Sequence, residues 1–355
     1  MHPGLLELDV EMNGARAPAL AYPELVGPVG RGDTVVLNTT AVELGLGTGG
    51  FHLVVAVEGA TTDPLDSGRT MKVRYTPSQM AVRAVEENYR DAIEGSRGLA
   101  GTPVVCAPLH SMIAPAAAGA KAAGGRTVVY VMTDGAALPG AFSRLVPSLR
   151  DAGLLDGWIT CGQAFGGELD AVTVWTALIA SVELLHADVV IVADGPGNLG
   201  TETTWGVSAL TNGHALNAAA ALGGTPVAAL RISFADARER HRGVSHHSLT
   251  ILEHVCTAGA NVAVPVLQAE ERGAVWDALR SRRLEERHQL IETDGRPALA
   301  ELERRGVEVR SMGRSPSDDP AFFLSAGAAG VLAGRTVAGT RAWRGGRQAG
   351  GHARD

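Results

Sequence analysis

VVCAPL, residues 104–109, is a continuous apolar run of strand length. A strand buried on both faces reads this way, because helices cover a parallel sheet on either side. Outward from it, similar strand signals return: TVVYVMTD (127–134), WITCG (158–162), DVVIVAD (188–194), VAALRIS (227–233) and NVAVPVL (261–267). Helical stretches separate them: IAPAAAGAKAAG, FSRLVPSLRDAG, DAVTVWTALIASVELLHA, LTNGHALNAAAALGG and HSLTILEHVCTAGA. This alternation predicts an α/β fold, a Rossmann-like, mostly parallel sheet with helices on both faces. The rhythm continues through a helix at 270–287, a strand HQLIET, a helix PALAELERRG, a strand VEVRSM and a helix AFFLSAGAAGVLAG, to about residue 334.

Upstream the period changes. LLELDVEM alternates apolar and polar, as a half-buried strand does. ALAYPEL, DTVVLNT and FHLVVAV follow between Gly-Pro and Gly-Asp turns. Short strands this closely spaced predict a small N-terminal β barrel or sandwich of OB or SH3-like type. SQMAVRAVEENYRDAI then opens the helical register, and FGGELDAV supplies Glu168 and Asp170 as acids near a helix start. The expected organisation is a β domain over 1–76, an α/β domain over 77–334 and a Gly/Arg-rich disordered tail over 335–355.

Composition narrows the function classes. The 355 residues carry 31 basic and 38 acidic side chains, a net charge of −7 that leaves no electrostatic footprint for nucleic acid. Lys72 and Lys121 are the only lysines. No apolar run reaches the roughly 18–20 residues of a membrane span, and the first residues lack a signal peptide's pattern. Three cysteines without a CxxC cannot build a disulfide framework, so a cytoplasmic setting is expected.

Ligands of open parallel sheets bind beyond the carboxyl ends of the strands. There the predicted strands deliver His110 and Ser111, Asp134, Cys161 and Gln163, Asp194 and Asn198, and finally Asp236, Arg238 and His241. The densest cluster is ERHRGVSHHSLTILEHV, with His241, His246, His247 and His254 inside fourteen residues. Ser245 reads as the N-cap of a helix beginning at His246. Imidazoles at a helix N-terminus stay neutral, and neutral imidazoles serve as general acid–base groups or metal ligands. The spacing fits no HExxH motif. Arg238, Arg240 and Arg242 beside it suit a phosphate or carboxylate.

DGPGNLG contains GxGxxG at Gly195, Gly197 and Gly200, but Pro196 interrupts it and no acidic residue closes the next strand. A loop that cradles an anion with backbone N–H groups and the Thr201 hydroxyl fits better than a dinucleotide fingerprint. Cys161, exposed by neighbouring glycines, is a candidate nucleophile.

The strings NTTAVELGLGTGGFH, APLHSM, VMTDGAALP, ITCGQAFGG, GPGNLGTETTWG, RISFADARERHRGVSHHSLT and DDPAFFLSAGAAGV together resemble one uncharacterised bacterial family, known only as a domain of unknown function. The resemblance spans about residue 5 to 334. It implies one architecture throughout and brings no established activity or catalytic residue.

The expectation is therefore a cytoplasmic hydrolase or transferase acting on a small anionic substrate, phosphorylated or not, bound at the carboxyl ends of the strands. His110, Asp134, Cys161, Asp194, His241, His246 and His247 are its candidate catalytic groups. Gln163, Gly197, Asn198, Thr201, Arg238 and Arg242 are candidate substrate contacts. A divalent metal is the candidate cofactor, with His246, His247 and Asp194 as ligands. No nucleic acid or membrane partner is expected, and a homo-oligomer is compatible with the sequence. The alternative is a non-catalytic metabolite-binding or regulatory module, or an interaction scaffold.

Overall fold

The computed structural model describes residues 4–47, 49–61 and 68–349, with the backbone alone over 339–349. The N-terminal strands are β1 (Leu6–Met12), β2 (Ala15–Ala21), β3 (Val35–Asn38) and β4 (His52–Val57). They form one mixed sheet in the order β1-β2-β4-β3. β1 and β2 are a hairpin turned at Asn13 and Gly14, both with positive φ, the geometry of a tight two-residue turn. Ala19, Ala21, Val54 and Val57 pack on its covered face. Among the described residues no strand pair closes this sheet into a barrel.

Two short strands, β5 (Thr70–Lys72) and β6 (Met80–Val82), form an antiparallel ribbon. The continuous helix expected over SQMAVRAVEENYRDAI is thus replaced by β6 and two helical turns, Val85–Asn88 and Arg90–Glu94. Lys72 explains the ribbon's position. It is fully buried, donates to the carbonyls of Gly162 and Ala171 at 2.9 and 3.0 Å, and lies 3.7 Å from the Asp170 carboxylate.

The main sheet has eight parallel strands: β7 (Pro103–Cys106), β8 (Val128–Thr133), β9 (Gly157–Cys161), β10 (Leu169–Ala171), β11 (Val189–Asp194), β12 (Thr225–Ala229), β15 (Asn261–Pro265) and β16 (Gln289–Thr293). Their order is β10-β9-β8-β11-β7-β12-β15-β16. A two-stranded ribbon, β13 (Ile232–Ser233) with β14 (Gly243–Val244), follows β12. The apolar runs are continuous because both faces are covered. Val104, Val129, Val190 and Val262 face one helical layer, while Val105, Val128, Ile191 and Ala263 face the other.

Helices Ile113–Ala122, Arg296–Arg304 and the start of Pro320–Ala349 cover the second face. Helices Val174–Glu183, Thr211–Ala221 and Ala269–Ser281 cover the first. Against the expectation of no span-length apolar stretch, the last helix is long and apolar enough over Pro320–Ala338 to cross a membrane by length and composition; 72% of that window is buried inside the fold. It approaches Ile113–Ala122 through glycines: a Cβ at Gly330 would collide with the carbonyl of Ala116, and one at Gly334 would sit 2.6 Å from that of Ala120.

Three further expectations are corrected. VEVRSM forms no strand: it pairs with neither edge of the main sheet, and Val307 and Val309 pack into the core from a loop. The acids of FGGELDAV flank and occupy β10, a three-residue edge strand, instead of opening a helix. The final helix continues to Ala349, through most of the stretch expected to be a disordered tail; residues 350–355 lie outside the described residues.

Candidate functional site

The helices after β7 and β11 leave to opposite faces of the sheet, although the two strands are neighbours. A crevice therefore opens at their carboxyl ends, the switch point where α/β sheets bind ligands. A cavity of about 430 Å3 occupies it. Its walls come from the segments after β7 (Leu109–Ser111), β11 (Pro196–Gly200) and β12 (Arg231, Arg238, Arg240, His241 and His247, but not His246), with Ser311 and Met312 closing one side.

The segment after β12 carries the chemistry. β13 and β14 pair and turn the chain back, and Ser245 then caps the helix His246–Thr250, its hydroxyl accepting the His247 N–H. His241 is thereby brought onto the helix N-terminus. Its ring centroid lies 5.2 Å from that of His246 and 4.8 Å from that of His247. One ring nitrogen from each of the three histidines can be chosen so that all lie within 4.8 Å of one another. Burial, together with the surrounding guanidiniums, pushes the imidazoles down: His241 and His247 to about 3, and His246 in the same direction. All three therefore favour the neutral form. His246 Nε2 is buried without a hydrogen-bond partner among the described residues.

Beside the histidines stands an arginine group. Arg231, almost fully buried, places Nη2 3.3 Å from Asp236 Oδ2. Arg238 binds the same carboxylate at 2.9 and 2.8 Å, and its hydrogen bonds hold Asp236 well below the usual carboxylate range. Arg314 binds Asp319 at 3.1 Å and lies 3.8 Å from Asp236. Arg240 pairs with the exposed Glu202 at 2.9 Å. Nε of Arg231 and Nε of Arg240 are buried and unpartnered among the described residues. Guanidinium thus exceeds carboxylate around this cavity, which favours an anion.

Of the other predicted residues, Gly197, Asn198, Arg238 and His110 reach the cavity wall. His110 spends both ring nitrogens. Nδ1 lies 3.3 Å from the Asp194 carbonyl, which can only accept, so Nδ1 donates and Nε2 accepts from Ser143 Oγ at 2.8 Å. Burial lowers it to about 4. Asp194 is fully buried, and its carboxylate is already occupied: it accepts from Thr133 Oγ1 (2.6 Å), Gly135 N (3.1 Å), Asn198 Nδ2 (2.7 Å) and Thr211 Oγ1 (3.0 Å). It stands outside the histidine group and braces the loop that forms the cavity wall; His241, not Asp194, is grouped with His246 and His247.

Asp134, Cys161 and Gln163 are not brought to this cavity. Cys161 ends β9, and Asp134 and Gln163 follow β8 and β9, the strands on the side of β11 away from β7. Asp134 accepts from Gln163 N at 2.8 Å, and Gln163 Oε1 from Arg74 N at 3.2 Å. Cys161 is buried in the core, which pushes its thiol up to about 12; an activated nucleophile needs the opposite. Thr201 is turned into its own loop, bonding the Gly206 carbonyl at 3.0 Å, and Arg242 is exposed outside the lining.

Arg231 and Ser311–Met312 escaped the sequence reading. An arginine directly after the apolar run VAAL was the available signal for the first. Nothing local marks the other two.

Residues 18–330 match a family described as "Protein of unknown function (DUF3866)". No curated protein and no solved structure matches the chain.

Proposed function

We propose that the chain, which belongs to the DUF3866 family of unknown function, is a divalent-metal hydrolase of small anionic substrates, with His241, His246 and His247 as the metal ligands. The observation that carries this reading is the convergence of the three neutral imidazoles, one with a buried, unpartnered nitrogen. Three histidines with an open position are the donor set of catalytic zinc sites, where the ion supplies Lewis acidity and activates water near neutral pH.

Arg231, Arg238 and Arg240 bind and orient the anionic group in this reading. Asp236 keeps Arg231 and Arg238 in place. The Gly197–Asn198 turn adds backbone N–H groups, and Asp194 holds that turn through Asn198. The free, buried state of Cys106, Cys161 and Cys256 supports the cytoplasmic setting.

The test is equilibrium dialysis of metal-stripped protein against zinc, manganese and cobalt. The parent should bind one equivalent of at least one ion, and His246→Ala and His247→Ala should bind none while keeping the parent's circular dichroism. Absence of saturable binding by the folded parent sinks the proposal.

A further inference from the structure

A second cavity of about 420 Å3 adjoins the first and shares His110, Ser111 and Pro196 with it as a common wall. Its lining differs in kind. Leu5, Leu20 and Phe51 come from the N-terminal β unit, and Phe142 and Leu145 from the main domain. Its charged groups are exposed: Glu7 and Arg144, which pair with each other, and Arg310. Two lobes therefore meet at one partition: a polar one holding histidines and arginines, and an apolar one between the two units.

We infer that the substrate is an amphipathic anion: a phosphate or carboxylate head in the histidine–arginine lobe and an alkyl or aryl arm in the lobe between Leu20 and Phe142. This rests on the anion reading of the first lobe and extends it. The shared wall sets the two lobes side by side, within reach of one molecule that crosses it. A free apolar ligand would leave the guanidinium donors unmet, and a small anion alone would leave the apolar lobe wet. Both lobes fall within the roughly 300–1,000 Å3 of ligand sites, which favour junctions between structural units. The lobe also gives the N-terminal sheet a role, since β2 supplies Leu20 to its wall.

The experiment is calorimetric titration of the full chain with inorganic phosphate, acetate, and monoalkyl phosphates and n-alkanoates of one to six carbons. Affinity should rise roughly two- to fourfold per added methylene, the factor expected for burying each one. In Phe142→Asp that rise should flatten, with the affinity for inorganic phosphate or acetate unchanged. Phe51→Asp places the same charge on the opposite wall and serves if the first variant loses its circular dichroism. Binding of the small anions without a chain-length rise in the parent overturns the inference and leaves the anion site standing. A rise that both folded variants retain puts the arm elsewhere and also overturns it. Failure of every anion to bind removes the underlying reading as well.

Discussion

Ser245 Oγ lies 2.8 Å from Nδ1 of His241. The same hydroxyl accepts the backbone N–H of His247, so one atom both starts the helix and orients a ring on a different segment. With Nδ1 donating to Ser245, His241 keeps the lone pair on Nε2 for a ligand. Ser245→Ala should lower zinc affinity roughly 10–100-fold, the usual effect of removing a ligand's orienting partner. It should also cost about 1 kcal/mol of stability through the lost cap. Ser245→Thr should restore most of both. Zinc titration beside urea unfolding checks this; unchanged affinity in Ser245→Ala means His241 is held by packing alone.

His110 makes acid stability predictable in sign. The folded ring accepts a proton only near pH 4, whereas an unfolded histidine accepts one near 6.5. Between those values the unfolded chain binds more protons, so stability falls as pH drops through the window, by at most about 3 kcal/mol from this group. His110→Gln should show a shallower decline from pH 6.5 to 4. Denaturant midpoints of the two metal-free proteins, measured at half-unit steps, give the difference directly. Parallel curves refute the assignment.

Asp194 gathers its hydrogen bonds from three elements, through Thr133, Asn198 and Thr211. Asp194→Ala strands several buried donors, each costing about 1–3 kcal/mol. A loss of about 3 kcal/mol or more is expected, together with loosening of the 195–207 loop. Hydrogen exchange at Gly135 and in that loop should accelerate ahead of the sheet. Uniform acceleration across the domain would show that Asp194 does not act on the loop in particular.

The glycine contact between helices sets a steric limit. Gly330→Ala puts a methyl into the carbonyl of Ala116, and overpacking of this kind costs about 1–3 kcal/mol. Gly273→Ala, with open space around it, is the matched control and should be neutral or slightly stabilising. Equal midpoints for the two variants would mean that the helices separate without cost.

Most of the sheet was readable because strands buried on both faces leave continuous apolar runs, as Val189–Asp194 does. β10 was not: it is three residues long, and Glu168 and Asp170 beside and within it read as helix-start acids. Asp170 answers instead to Lys72, a partner 98 positions earlier in the chain. VEVRSM reads as a strand by its alternation, which says nothing about whether a neighbour exists to pair with. The histidine cluster was legible because it is local. Its surroundings were not: Ser311 and Met312 arrive from a distant segment, and strand order alone decides that Asp134 and Cys161 stay away.

The packing of Pro320–Ala338 on Ile113–Ala122 also has a bearing on folding. These partners are separated by about 200 residues of chain, so their contact closes a very long loop, and such non-local contacts slow folding. Until residues beyond 320 have left the ribosome, the small-residue face of Ile113–Ala122 has no cover. A nascent chain that has already made its first five parallel strands still presents that bare alanine and glycine surface to solvent. The domain is therefore completed late in synthesis, and in that interval aggregation competes with folding.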